Sequence, residues 1–133
     1  MKRVFLVMLL ILLLLSGCAA TRTDITQEEV VAVYEAAGYE VWTDTYDVKL
    51  DYGQIAYVQA NHPDGDYIYF SIFGTEEEAQ AYKKQFYHPM MMGLFSVIFG
   101  DPSWSRWEVY GCIVAEYDRT EFFDVFKNLV NKK

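Results

Sequence analysis

Cysteine is nearly missing from this chain. Cys18 and Cys112 are its only two, so no disulfide framework staples the fold, and the core must hold itself together. Histidine is equally scarce. His62 and His88 stand alone, with no metal-ligand spacing around either. Basic residues are outnumbered 11 to 19 by acidic ones, for a formal charge of −8. That balance disfavours nucleic acid as an electrostatic partner, and anionic headgroups too. Gly-x-Ser-x-Gly, His-Glu-x-x-His, a phosphate loop and a dinucleotide fingerprint are all absent. Without any of these no catalytic residue is assigned, and no enzyme activity or cofactor is expected. No internal repeat or low-complexity tract interrupts the chain.

Apolar sequence, by contrast, is concentrated in two places. The first follows Met1-Lys2-Arg3: Val4 to Leu15 contains no polar residue. A basic start, a short apolar run and a small-residue exit make a secretory signal. Twelve helical residues reach about 18 Å against a bilayer core of about 30 Å, so a stable span is the weaker reading. The exit is Leu15-Ser16-Gly17-Cys18. This resembles the lipobox of bacterial lipoproteins: an aliphatic residue, two small residues and a cysteine. The resemblance covers residues 1–18. It implies a diacylglyceryl thioether on Cys18, cleavage just before it, and further acylation of the new amine with chains such as palmitate. Two or three acyl chains anchor durably, whereas one binds only marginally. The implied partner is a membrane, entered through the anchor from its extracytoplasmic face. Ala19 lacks the aspartate that resembles an inner-membrane retention signal. An outer-membrane destination is therefore open in a Gram-negative cell, as is the single membrane of a Gram-positive one.

Three regions follow: residues 1–17 as lipoprotein signal peptide, 18–25 as lipidated cysteine and polar tether, and 26–133 as one domain. Loss of Lys2 and Arg3 with the signal makes the mature chain more acidic still.

Within the domain, Thr26 and Glu29 stand at capping-box spacing and open a helix. Its apolar face is Val30, Val33, Tyr34 and Ala37, and Gly38 stops it. Tyr39 to Thr45 and Gln54 to Ala60 favour strands, and Asp44, Asp47 and Asp51 accompany a turn or a polar strand end between them. Asn61 to Asp66 is dense in turn formers, and Tyr67 to Phe73 returns as the second arm of a hairpin. Thr75 and Glu78 open a second helix with Ala79, Tyr82 and Phe86 inward, and Pro89 disfavours its continuation. Trp104 to Tyr117 is one long strand, or two short ones broken near Gly111. Cys112 reads as a small buried hydrophobe in a strand. A last helix follows Asp118, with Phe122, Val125, Phe126 and Leu129 inward. The expected fold is α+β, order α-β-β-β-α-β-α, a small mainly antiparallel sheet with helices packed on one face. The order and the phrase "EAAGYEV" (35–41) also resemble small uncharacterised lipoprotein domains of Gram-positive bacteria, over residues 26–130. That likeness implies no activity.

The second apolar block, "HPMMMGLFSVIFG" (88–100), departs from those domains, whose corresponding loop is polar. His88 and three methionines gather soft ligands, yet consecutive methionines cannot readily face one ion, and no metal is expected. Nor do Asp44, Asp47, Asp51, Asp64 and Asp66 fit a calcium loop. Three readings of the block stay open: a helix that completes the core, a partner-binding surface, or a segment that dips into the bilayer. In the last two, Met90, Met91, Met92, Leu94, Phe95, Ile98 and Phe99 supply the contacts with membrane or envelope partner. Aromatic residues are the other surplus, with 11 Tyr and 3 Trp. Trp42, Tyr46, Tyr52, Tyr57, Tyr67, Tyr69 and Trp104 form a sticky sheet face, or else serve β-propensity and core filling. The expected function is a lipid-anchored extracytoplasmic, non-enzymatic binding or envelope-associated module. The alternative is a small-ligand or metal-binding sensor subunit.

Overall fold

The computed structural model describes residues 22–87 and 106–131. Helix α1 spans Gln27–Ala36, strand β1 Glu40–Thr45, β2 Gln54–Asn61, β3 Tyr67–Phe73, helix α2 Glu76–Phe86, β4 Arg106–Tyr110, β5 Ile113–Tyr117 and helix α3 Thr120–Val130. The five strands form one antiparallel sheet in the order β1-β2-β3-β5-β4. The fold is α+β, in the element order read from the sequence. The last strand region is a hairpin of two strands rather than one long strand.

Local chemistry places the boundaries. Both expected capping boxes form: Thr26 with Glu29 opens α1, and Thr75 with Glu78 opens α2. In each, the threonine hydroxyl accepts from the third helical N–H while the glutamate accepts from the cap N–H, satisfying two otherwise orphaned donors. Gly38 ends α1 at φ 87°, a conformation costly for a residue with a Cβ. Gly111 at φ 55° takes the first place of the two-residue turn joining β4 to β5, as tight hairpins favour.

Alternation in the strands creates two faces. On one, Ala56, Val58, Ala60, Ile68, Phe70, Ile113, Ala115 and Tyr117 meet Val30 and Tyr34 of α1 and Phe122, Phe123, Phe126, Leu129 and Val130 of α3. Phe70 lies 5.4 Å from the Tyr34 ring and 5.1 Å from that of Phe126; Tyr117 stacks on Phe123 at 4.4 Å. The buried Tyr34 hydroxyl donates to the Phe122 carbonyl at 2.7 Å, locking α1 to α3. Each such ring removes a large apolar area from water.

The opposite face carries a smaller cluster: Phe73, Ala79 and Val114, flanked by Tyr82, Trp107 and Val109. Packing on one face thus holds for α1 and α3, whereas α2 covers part of the other. The reason lies in β3. Its last buried residues, Ile72 and Phe73, point to opposite faces, and Phe73 needs its own cover.

Candidate functional site

Beyond α2 the outer face is aromatic, with Trp42 and Tyr67 exposed and Tyr57 and Tyr69 half-buried. Trp42 of β1, Tyr57 and Gln59 of β2, and Tyr67 and Tyr69 of β3 share it by alternation and register. Tyr57 and Tyr69 stack at 5.4 Å with planes 14° apart, and Tyr46 tilts against Tyr57 at 6.2 Å. Under α2 the ladder resumes with Tyr82 stacked on Trp107 at 5.5 Å. Burial pushes the Tyr69 phenol up to about 12, so its hydroxyl remains a donor across the physiological range. Trp42 is 55% exposed. Of the seven aromatic residues read from the sequence, four share this face and Tyr46 borders it. Tyr52 stands elsewhere, and Trp104 lies outside the described residues.

Tyr52 belongs to the β1–β2 connection. Read from the sequence as a turn or a polar strand end, this stretch is a connection that also exposes apolar side chains. Among the described residues six large apolar side chains are exposed, and four gather here: Val48, Leu50 and Tyr52 of the connection and Phe86 of α2. Phe86, expected inward, is 46% exposed, because its ring leans on Tyr52 at 5.0 Å instead of entering the core. Lys49, Leu50, Tyr52, Gln54, Tyr82 and Phe86 line a groove of about 500 Å³.

The connection is tied down from within. Tyr46 N–H donates to the Ile55 carbonyl, Leu50 N–H to Gln54 and Gly53 N–H to Leu50. Lys49 Nζ reaches Glu78 at 3.0 Å, and the bonded lysine holds the Glu78 carboxyl below the ordinary carboxylate range. Tyr52 adopts φ 65°, a left-handed conformation unusual for a non-glycine residue. Alternation in Val48-Lys49-Leu50 was the available signal: two apolar residues stand in a turn-rich stretch with no apolar run beside them.

This connection lies at the sheet end shared by the start of β2, the end of β3 and the β4–β5 turn. The N-terminal strap arrives at the same end. Thr23 lies so close to Gly111 that a Cβ there would overlap the Thr23 carbonyl. Arg22 N–H donates to the Val130 carbonyl at 3.2 Å, its guanidinium pairs with Glu29 at 3.0 Å, and Ile25 is buried. Residues 22–25, read as tether, are docked on the domain.

The remaining candidates disperse. Cys112 is corrected from buried strand to turn: it is partly exposed, because Gly111 reverses the chain just before it. Asp44 and Asp47 stand at the apolar end. Asp64 and Asp66 stand at the opposite end, where Asp66 pairs with Arg119 at 3.0 Å and His62 Nδ1 lies 3.2 Å from the Asp64 carboxylate. The Asp64-Gly65-Asp66 turn closes the hairpin as expected, with Gly65 at φ 98°. Among the described residues no group of three His, Cys, Asp or Glu side chains is placed to hold a metal. Nor, among them, is any helix long and apolar enough to cross a membrane. Cys18 and the block with Met90, Met91, Met92, Leu94, Phe95, Ile98 and Phe99 lie outside the described residues. No family model, curated protein or solved structure matches the chain.

Proposed function

We propose that the protein is a lipid-anchored extracytoplasmic, non-enzymatic binding module of a bacterial envelope. The observation that carries this is Leu15-Ser16-Gly17-Cys18 at the end of the apolar run. The motif supports secretory targeting and acylation together: the run is too short for a stable span, and two or three acyl chains on Cys18 would anchor durably. The aromatic outer face of the sheet supports the binding part of the reading. Exposed Trp42 and the Tyr57–Tyr69 stack offer rigid, amphipathic area that costs little side-chain entropy to immobilise.

The test is Cys18→Ser in cells fed an alkyne fatty acid. Wild type should take up the label and sediment with membranes. The variant should lose the label and remain as uncleaved precursor or released protein. Equal labelling of both would overturn the anchor.

A further inference from the structure

We infer that the β1–β2 connection, with Val48, Leu50 and Tyr52 flanked by Phe86, is a bilayer-contacting surface that seats the domain on the membrane. This rests on the anchoring reading above and adds an orientation to it.

The sheet has two ends, and they differ. One carries four of the six exposed large apolar side chains, with Val48 as much as 77% exposed. Ion pairs occur at both ends, Arg22–Glu29 and Lys49–Glu78 at this one and Arg119 with Asp66 and Glu121 at the other, so it is the apolar cluster that sets this end apart. Scattered apolar residues on a surface need no explanation, but a cluster of them does.

The exposure is also built in. Three backbone hydrogen bonds and the Lys49–Glu78 bridge fix the connection, while Tyr52 is held at φ 65°. Free fluctuation of a loose loop would not need these bonds. Tyrosine and lysine beside aliphatic residues suit the headgroup boundary, where a ring or an alkyl stem sits in apolar surroundings and its polar tip stays wet.

The chain's own anchor identifies the occupant as lipid. Chain entry is at this same end, where Thr23 meets Gly111. Only Ala19, Ala20 and Thr21 separate Cys18 from Arg22, which is docked on the domain. Four extended steps reach at most about 14 Å. An acylated Cys18 therefore holds the apolar end, not the opposite one, next to the lipid. Asp47 and the glutamates Glu76 and Glu77 at this end disfavour anionic headgroups, which points to a zwitterionic surface.

The test uses the full lipidated protein, with Cys112→Ser and an environment-sensitive fluorophore on a cysteine placed by Val48→Cys or, as control, Asp64→Cys. Each is reconstituted into phosphatidylcholine vesicles with brominated acyl chains. The position-48 probe should be quenched and blue-shifted, and the position-64 probe should stay aqueous. Adding Leu50→Asp should cut quenching at position 48 by about threefold or more while circular dichroism is unchanged. A position-48 probe that stays in water on a chain shown to carry lipid overturns the orientation alone, and would make the patch a protein-binding surface. A chain that carries no lipid overturns the anchor and this inference together. Equal quenching at both positions also overturns it.

Discussion

The Tyr34 hydroxyl shows how much one atom can do here. It is buried, bonds the Phe122 carbonyl at 2.7 Å, and so links the first helix to the last. Tyr34→Phe removes this second bond from a carbonyl that keeps its place in the helical ladder of α3, and should cost about 0.5–1.5 kcal/mol, read as a lower urea midpoint with an unchanged slope. An unchanged midpoint would mean that water or another donor replaces the bond. Cys112 gives a second outcome. Its partly exposed thiol in the β4–β5 turn should react with a maleimide in the folded, unlipidated domain; protection relieved only by urea would contradict that position. Several single residues were legible because their chemistry is local. Thr26 with Glu29, Thr75 with Glu78, and Gly38 each act within a few positions of sequence. Phe86, Cys112 and Val48 were not, since exposure depends on what arrives from elsewhere in the chain. Helical spacing put Phe86 on the face of Tyr82, and only the distant Tyr52 explains why it stays outside.

Helix α3 is the element whose amphipathic pattern reads most directly. Phe122, Phe126 and Leu129 are buried as expected, but Phe123 and Val130 are buried too. The stripe is wider because α3 packs against both the sheet and α1, so two neighbours claim adjacent sides. Phe126→Ala should destabilise the domain by about 3–5 kcal/mol, enough to threaten folding, whereas Thr75→Ala at the α2 cap should cost about 1 kcal/mol. Denaturant melts of both would rank them, and a reversed ranking would refute this account of the core. Strands β2 and β3 were legible from alternation between turn formers. The face taken by α2 was not, because the sequence of a helix shows that it has an apolar side and not which surface receives it.

At the scale of the whole molecule, tyrosines set the alkaline limit. Burial raises the Tyr69 and Tyr117 phenols to about 12, with the nearby Glu108 carboxylate adding to the rise at Tyr117; Tyr34 is raised too. A group whose acidity falls on folding stabilises the fold below its unfolded value near 10 and loses that contribution as pH climbs to its folded value. Stability should therefore hold up to roughly pH 10 and fall from there towards 12, with phenolate absorbance appearing late and steeply as the domain opens. Early, gradual phenolate formation without loss of structure would show these hydroxyls to be in water. The sheet order has a kinetic consequence as well. The β1-β2-β3 meander and the β4–β5 hairpin each close through short connections, but they meet only along β3 and β5, whose partners stand on the order of 40 residues apart. That seam is the slow event of assembly, since a distant pairing must form before it is rewarded. Closure entropy grows only logarithmically with length. Lengthening or trimming the intervening stretch would therefore change how fast the two halves find each other far more than how firmly they hold.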